Sequence, residues 1–291
     1  MTPHENPTAG LVEEADNRTV IHIDSQLLNN IQMCGQRTQY YNVLNLRAKT
    51  KAKPLDRGWL LHEVLRTFYE HKKAKEPFAD CLVAAKQRGA AAAKEVQLPI
   101  EEIVEVLATC DSYLNFYQND NWIPLEIEQR FAFVLYEDDK FVIMYEGIID
   151  LLVEAPHFGI VPIDHKSRQR NVTISPLNNQ FIGYCKALGV KHFIVNCIGF
   201  QKSMPPHEKF VRELKAYSED MIDEWTQNAI FWAFTYYNYT QINTWPMNFT
   251  SCDKWSGCIF APLCQSTRDS RVWKMEKDYI VGEKWDPMTR A

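Results

Sequence analysis

The amino-acid sequence predicts a mixed α/β fold with one central sheet flanked by helices and an N-terminal helical region. Helical periodicity of apolar residues fills most of residues 25–120. Apolar segments with strand character follow between residues 121 and 200, and helical patterns lie between and after them. Helices and strands in this order are typical of a layered α/β domain.

The first part of the chain is predicted to be helical. We expect residues 1–24 to be a flexible N-terminal segment and Ser25 to be the N-cap of a helix over residues 26–46. Residues 49–57 are predicted to form a basic loop, because Pro54 breaks the helical pattern. Three more helices are predicted over residues 58–69, 79–95 and 99–118.

The strands of the predicted sheet begin after residue 120. The first two flank an acidic turn at residues 137–140, and the third contains Pro162, which is unusual because proline cannot donate to a ladder. The predicted strands span residues 123–136, 141–153, 160–166 and 191–200. Helices are predicted over residues 177–188, ended by Gly189, and over residues 218–239.

These elements predict one domain over residues 25–246. We divide it into a helical part, 25–120, and a sheet core, 121–246. A cysteine-containing loop over residues 247–264 and a C-terminal tail over residues 265–291 follow it.

The composition is that of a globular protein. The 291 residues are 46% hydrophobic and 24% charged, and a chain of this length can bury a sizeable core. No apolar run reaches the roughly 18 residues that span a bilayer. The N-terminus lacks the basic and apolar blocks of a signal peptide, so we expect a cytoplasmic protein without membrane contacts.

The charge distribution leaves two interpretations open. The net charge of −5 gives no overall basic field of the kind that attracts nucleic acid. Residues 47–75 nevertheless hold nine basic residues against three acids, and Lys166, Arg168 and Arg170 form a second basic group. Each group is either a solvated charged face or a stripe that binds phosphates.

Two aspartates lie at strand segments apolar enough to be buried. Asp150 is in the middle of the second strand, and Asp164-His165-Lys166 ends the third. A buried carboxylate is costly unless it is paired or binds a metal. Since side chains alternate along a strand, Asp164 and Lys166 point to one face and His165 to the other. Two carboxylates beside a lysine supply the oxygen ligands and the fixed positive charge that metal-dependent phosphodiester cleavage needs.

Three further polar residues are candidates for the same site. Gln180 and Tyr184 are four apart on a predicted helix, so they share a face that either contacts a phosphate and the lysine or is an ordinary polar surface. His62 lies on an otherwise apolar helix and is either a core residue or a ligand that makes a carboxylate site more tolerant of Mn²⁺. The Asp-x-Lys pattern also occurs by chance.

In chain order these residues form four short motifs, which are Gly58-x-x-x-His62, Gly147-x-x-Asp150, Asp164-x-Lys166 and Gln180-x-x-x-Tyr184. Together they resemble the RecB-type branch of the PD-(D/E)XK nuclease superfamily. The resemblance spans residues 25–264 and implies a restriction-endonuclease-like core.

The resemblance also implies a role for each motif residue. In that family the equivalents of His62, Asp150 and Asp164, with the peptide carbonyl of His165, bind Mg²⁺ or Mn²⁺. The lysine, here Lys166, positions the attacking water or the phosphate. The glutamine and tyrosine, here Gln180 and Tyr184, define the helix beside the site.

The cysteines extend this likeness. Eight cysteines in a chain with no secretion signal do not indicate a disulfide framework. Some members of the branch, among them CRISPR-associated and helicase-linked nucleases, hold a 4Fe-4S cluster with one cysteine before the nuclease core and three after it. Cys34 here precedes the core, and Cys252, Cys258 and Cys264 follow it. Their even spacing departs from the family pattern, so Zn²⁺ is an alternative to the cluster.

From the residues and the resemblance we expect a metal-dependent DNA nuclease. It is expected to be an exonuclease on DNA ends or single strands, acting in recombination, repair or phage DNA metabolism, with a helicase or recombination protein as a possible partner class. Two alternatives remain. One is a non-catalytic DNA-binding module of a helicase or integrase complex, and the other is a zinc-stapled RNA nuclease.

Overall fold

The structure is a computed structural model that describes residues 12–15, 17–49, 53–168, 174–201, 204–253 and 257–288. The chain divides into two compact units. Unit 1 comprises residues 1–50, 131–148 and 220–291, and unit 2 comprises residues 51–130 and 149–219. The strands of a mixed sheet and the helices that flank them confirm the predicted α/β class.

The described residues form nine strands and ten α-helices. The strands are β1 (Val12–Ala15), β2 (Arg18–Ile23), β3 (Leu46–Ala48), β4 (Ile123–Glu137), β5 (Phe141–Ala155), β6 (Gly159–Arg168), β7 (His192–Gly199), β8 (Phe210–Ala216) and β9 (Tyr279–Val281). The helices are α1 (Ser25–Met33), α2 (Gly35–Thr38), α3 (Lys53–Lys73), α4 (Phe78–Ala92), α5 (Ile100–Phe116), α6 (Asn179–Leu188), α7 (Pro206–Lys209), α8 (Glu219–Ile242), α9 (Ala261–Cys264) and α10 (Arg268–Asp278). None of these helices is long and apolar enough to cross a membrane.

Unit 1 is built around the first part of β5. β1 pairs antiparallel with β2, and β2 runs parallel to residues 141–145 of β5. Ile21 and Ile23 are fully buried, and the Tyr145 ring packs edge-on against Trp225 of α8 at a centroid distance of 5.2 Å. These contacts join the N-terminal strands, β5 and the aromatic helix α8 in one core.

The N-terminal segment therefore differs from the flexible one expected. The alternating burial along β2 shows that its β-branched residues face a core, a pattern too short to be recognised in the sequence. The N-cap of α1 is Asp24, not Ser25, because the Asp24 carboxylate accepts the Leu27 N–H at 2.6 Å. Residues 1–11 of the same expectation lie outside the described residues.

The predicted helix over residues 26–46 is interrupted at Cys34. Its backbone is extended there, with φ −171° and ψ 123°, and α2 and a π-helical turn over Gln39–Val43 follow. The predicted tail after residue 264 is also structured, since α10 leads into β9, which pairs antiparallel with β3. This pairing involves residues more than two hundred positions apart, which local patterns cannot indicate.

Unit 2 holds the second part of β5 and the strands that follow. β5 pairs antiparallel with β6 over residues 151–155, β6 runs parallel to β7, and β7 pairs antiparallel with β8. Pro162 is accommodated because the β6–β7 ladder begins one residue later, at Ile163. Strand β8 and the short α7 before it were not predicted, since the sequence of β8 mixes charged and apolar residues.

The helices α3, α4 and α5 pack together in unit 2 around a core that includes Leu60, Leu61 and Leu65. Gly89 of α4 permits their close approach, because a Cβ there would lie 2.7 Å from Leu107 and 2.9 Å from Val64. Helix α3 begins at Lys53, inside the predicted basic loop, and carries His62.

Candidate active site

The candidate site lies in unit 2, where two neighbouring strands part. The β5–β6 ladder ends with the pair Leu151 and Ile163. The next pair in this register would join Asp150 and Asp164, and each strand instead continues without the other. Both aspartates therefore lie where the β5–β6 pairing has ended, while Asp164 remains paired with Val195 in the β6–β7 ladder.

Asp164 is held by a lysine and an amide. Its carboxylate is 1% exposed and lies 2.8 Å (Oδ2) from Nζ of Lys166. The Gln180 amide nitrogen donates to Oδ1 at 2.9 Å, while the Gln180 amide oxygen accepts from Lys166 Nζ at 3.0 Å. The Gln180 amide thus fixes Asp164 and Lys166 relative to each other.

Helix α6 presents Gln180 to the strand. Asn178 caps the helix by accepting the Gln180 N–H at 2.8 Å, and Gly189 ends it in a left-handed conformation with φ 65°. The Gln180 amide also donates to the Tyr184 hydroxyl at 3.1 Å, four residues along the same face. The motif residues of α6 therefore act on Lys166 and Asp164 through the Gln180 side chain.

Asp150 is held from a different direction. The backbone N–H of His165 donates to its Oδ2 at 2.8 Å, and Nδ1 of His62 lies 3.4 Å from the same oxygen. Asp150 is 9% exposed. In a strand the N–H and C=O of one residue point to the same edge, so the carbonyl of His165 also faces the edge shared with Asp150.

The His165 side chain points to the opposite face of β6. Its ring is 3% exposed and stacks on Tyr69 of α3 at a centroid distance of 5.8 Å. Nδ1 lies 2.7 Å from the side-chain amide nitrogen of Asn196 on β7. Residues 164 and 166 thus face α6, while residue 165 faces the helical core.

The donor set suits a divalent cation such as Mg²⁺ or Mn²⁺. Two carboxylates, an imidazole and a backbone carbonyl are hard or borderline ligands, with the imidazole extending the range towards Mn²⁺. Across the described parts of the chain, no three His, Cys, Asp or Glu side chains already stand together as a metal site. These residues fit the cation by the chemistry of their donor atoms. Lys166 forms an ion pair with Asp164, one of the two carboxylates.

The four candidate cluster cysteines lie in unit 1. The Asn248 N–H donates to the Cys34 sulfur at 3.4 Å, and the Asn248 carbonyl accepts from the Cys252 thiol at 3.9 Å. The Cys258 N–H donates to the Cys252 carbonyl at 2.8 Å. Burial raises the pKa of the Cys264 thiol. Among the described residues, no three of these cysteines stand together as a metal-binding group.

The basic residues of α3 are mostly used within the protein. Arg57 pairs with Glu102 and Glu105, and Lys73 pairs with Glu126. These two basic side chains are therefore engaged in ion pairs within the protein, and Arg57 is mostly shielded from solvent. Arg170 of the second basic group lies outside the described residues.

Asn196 is a polar residue that the sequence interpretation missed. It is fully buried in β7, and the other members of residues 193–198 are apolar residues and a cysteine. The signal that singled out Asp150, a polar residue inside an apolar strand, applies equally to Asn196.

Comparison with known proteins identifies a nuclease family. The model of the PD-(D/E)XK nuclease superfamily matches residues 26–265. The search of curated proteins finds no match. One similar solved structure is a candidate exonuclease from Eubacterium rectale, with a TM-score of 0.48 and 9% identity over 80% of this chain and 86% of that one. A second is SSO0001, with a TM-score of 0.32 and 16% identity over 72% of this chain and 84% of that one.

Proposed function

The chain belongs to the PD-(D/E)XK nuclease superfamily, and from this premise we propose that it is a metal-dependent deoxyribonuclease that acts on DNA ends or single strands. We place it in the RecB-type branch of the superfamily. Its work is the removal of nucleotides in recombination, repair or phage DNA metabolism, with a helicase or recombination protein as its partner.

The observation that carries this proposal is the arrangement of Asp150, Asp164 and Lys166. The two carboxylates occupy opposed positions where β5 and β6 part, and the lysine lies 2.8 Å from one of them. A purely structural ion pair would not require a second acid where β5 and β6 part. Metal-dependent phosphodiester cleavage uses both acids as cation ligands and the lysine as a fixed positive charge.

Four groups of unit 2 would hold the cation. They are the carboxylates of Asp150 and Asp164, the imidazole of His62 and the backbone carbonyl of His165. A bound Mg²⁺ or Mn²⁺ supplies Lewis-acid stabilisation of the charge that develops on the phosphoryl oxygens.

Lys166 acts on the water or on the phosphate. Its side chain is 38% exposed, so the ammonium can reach a substrate while Asp164 and Gln180 restrict its position. Donation from the ammonium to a non-bridging phosphate oxygen stabilises the transition state more than the ground state, because negative charge develops on that oxygen. Contact with the attacking water would orient the water. Gln180 and Tyr184 position the lysine.

For unit 1 we propose that Cys34, Cys252, Cys258 and Cys264 bind one metal centre. Four thiolates form a 4Fe-4S or a Zn²⁺ site, and the family resemblance favours the 4Fe-4S cluster. The hydrogen bonds of Asn248 to Cys34 and Cys252 support this, because they bring cysteines from distant parts of the sequence to one residue.

A digestion panel tests the function. End-labelled single-stranded and double-stranded DNA, and RNA of the same sequence, are incubated with the protein in Mg²⁺, Mn²⁺ or EDTA. We expect DNA to be shortened from its ends in Mg²⁺ or Mn²⁺ and to remain intact in EDTA. Binding of DNA without cleavage would instead indicate a non-catalytic module of a helicase or integrase complex, and preferential cleavage of RNA would indicate an RNA nuclease.

A further inference from the structure

A buried polar cluster lies behind the candidate site, on the other face of β6. It consists of His165, Asn196 and Tyr113, and their exposed fractions are 3%, 0% and 0%. The Asn196 amide nitrogen lies 2.7 Å from Nδ1 of His165 and 2.7 Å from the Tyr113 hydroxyl. The three side chains thus form one hydrogen-bonded row from β6 through β7 to α5.

This cluster is surrounded by the main apolar core of unit 2. Tyr113 and the strand neighbours of His165 and Asn196, among them Ile163, Ile194 and Ile198, belong to that core. Burying polar groups costs free energy that their hydrogen bonds only offset. Apolar residues of similar size would fill the space without this cost, so stability alone does not account for the three polar residues.

The cluster is connected to the site through the backbone of one residue, His165. The His165 ring is tied to Asn196, directly opposite it in the β6–β7 register. The His165 backbone N–H, on the same residue, holds Asp150 at 2.8 Å. The ring therefore restrains the backbone that orients Asp150 and aims the His165 carbonyl.

The ring has little freedom to turn. One of its faces stacks on Tyr69 with an interplanar angle of 12°, and the His62 ring lies at a centroid distance of 6.0 Å. Tyr69 and His62 are both on α3, so the ring also links that helix to the active strand. The Asn196 amide nitrogen joins the His165 ring to the Tyr113 hydroxyl, whereas the Asn196 amide oxygen is buried without a hydrogen-bond partner among the described residues. Directional hydrogen bonds in a buried site restrict side-chain geometry more than apolar contacts do.

We infer that Asn196 and Tyr113 are positioning residues for the metal site. Through the His165 ring they hold the backbone of His165, whose N–H orients Asp150 and whose carbonyl would face the cation. This inference rests on the proposed function, because it assigns the cluster a role in metal binding by Asp150 and His165.

The test compares Tyr113→Phe and Asn196→Leu with Tyr117→Phe. The first change removes the hydroxyl that accepts from the Asn196 amide, and with it the longer contacts of 3.4 Å to Arg212 and to the Tyr69 hydroxyl. The second replaces the amide by an apolar side chain of similar size. Tyr117→Phe is the control, because it removes a part-buried hydroxyl at the C-cap of the same helix, where it donates to the Phe210 carbonyl at 3.1 Å. Binding of Mn²⁺ alone is measured by calorimetry, and the Mg²⁺ dependence of cleavage is measured with its kcat and KM.

We expect Asn196→Leu to weaken Mn²⁺ binding about 10-fold, the lower end of what loss of an outer partner costs a metal site. The Mg²⁺ concentration for half-maximal cleavage should rise in parallel, with the KM for DNA unchanged. Tyr113→Phe should shift both in the same direction and Tyr117→Phe should shift neither. If Asn196→Leu does not fold, the Mn²⁺ affinity of Tyr113→Phe tests the inference by itself.

Two results would overturn the inference. Unchanged Mn²⁺ affinity in both cluster variants would show that the cluster serves packing only, and an equal shift in Tyr117→Phe would show a general loss of rigidity. Both results leave the proposed function standing when the unmodified protein binds Mn²⁺ and cleaves DNA. If the unmodified protein itself binds no Mn²⁺ and cleaves no DNA, the proposed function has failed.

Discussion

The ammonium group of Lys166 lies 2.8 Å from Oδ2 of Asp164, two residues earlier on the same strand. The contact follows from the alternation of side chains along β6, which puts both residues on one face. The acid is 1% exposed, whereas the lysine side chain is 38% exposed. The pair therefore combines a buried anchor with a charge that can reach a substrate.

Asp164→Ala should abolish cleavage and leave DNA binding largely intact. The change removes a proposed metal ligand, whereas affinity for DNA depends mainly on basic side chains that contact phosphates. Gel-shift and digestion assays measure the two properties separately. Asp111→Ala, an acid on α5 paired with Lys86, is the control and should retain activity. Near-full activity of Asp164→Ala in Mg²⁺ would show that Asp164-His165-Lys166 is not the active strand.

Lys166→Ala should lower kcat by about 10²–10³-fold, the usual cost of losing one group that stabilises transition-state charge. The variant should keep its cooperative melt, because the lysine is partly solvated and the buried Asp164 retains the hydrogen bond from the Gln180 amide. Lys191→Ala, which breaks the exposed pair with Glu219, is the control. It should leave both kcat and the melting temperature unchanged. A variant that loses its cooperative melt but keeps its specific rate would identify a structural ion pair.

Gln180→Leu should reduce kcat more than Tyr184→Phe does. Leucine removes the bonds to both Asp164 and Lys166, whereas Tyr184→Phe removes only the hydroxyl that the Gln180 amide contacts. Steady-state kinetics at saturating Mg²⁺ compares the two variants. Equal and small effects would contradict the role of Gln180 in positioning the lysine.

The cysteine variants test the proposed metal centre. Cys34→Ala, Cys252→Ala, Cys258→Ala and Cys264→Ala should each lower the melting temperature and lose the same bound metal, because binding energy of such a site becomes folding energy. Cys81→Ala and Cys110→Ala, at buried cysteines of unit 2, should keep the metal. Anaerobically purified protein should be brown with about four irons per chain for a 4Fe-4S cluster.

A colourless protein with one zinc would retain the four-cysteine centre and change its metal. Metal analysis that finds neither iron nor zinc in the unmodified protein would reject the centre. So would a Cys34→Ala protein with an unchanged metal content.

Asp24→Asn should raise the melting temperature at pH 8 and have little effect near pH 4. Burial raises the pKa of Asp24 to about 7, while the Leu27 N–H opposes this rise. Since an unfolded aspartate has a pKa of about 4, the folded chain keeps a proton that the unfolded chain releases between about pH 4 and 7. The residue therefore destabilises the fold increasingly as the pH rises through this window, and asparagine removes the effect while still capping α1.

The melting temperatures of the unmodified protein and of Asp24→Asn are measured across this pH range. Asp138→Asn is the opposite control, because hydrogen bonds from Tyr136 and two backbone N–H groups lower the pKa of Asp138. The ionised Asp138 stabilises the folded protein at pH values above the pKa of an unfolded aspartate. The Asp138→Asn variant should therefore melt at a lower temperature than the unmodified protein at pH 8. The two melting temperatures should converge at acidic pH. A pH-independent effect of Asp24→Asn would contradict the raised pKa.

Elements with a long and regular pattern were predictable from the sequence. The strands β4 to β7 and the helices α4 to α6 lie within a few residues of their expected bounds. The elements that were missed are short or depend on distant partners. Strands β1 and β2 gain their stability from β5, and β9 from β3, so that their own sequences carry little signal.

The sequence by itself determined which residues could serve chemistry and which of them share a face. Asp150 stands out because a charged residue interrupts an apolar strand, and Asp164 with Lys166 because alternation is a local property of the backbone. The tertiary structure alone decided where β5 and β6 part, that Gln180 bridges Asp164 and Lys166, and that Asn196 and Tyr113 hold His165 from behind. Each of these depends on contacts between segments far apart in the chain, and such contacts are set by packing, which no local pattern encodes.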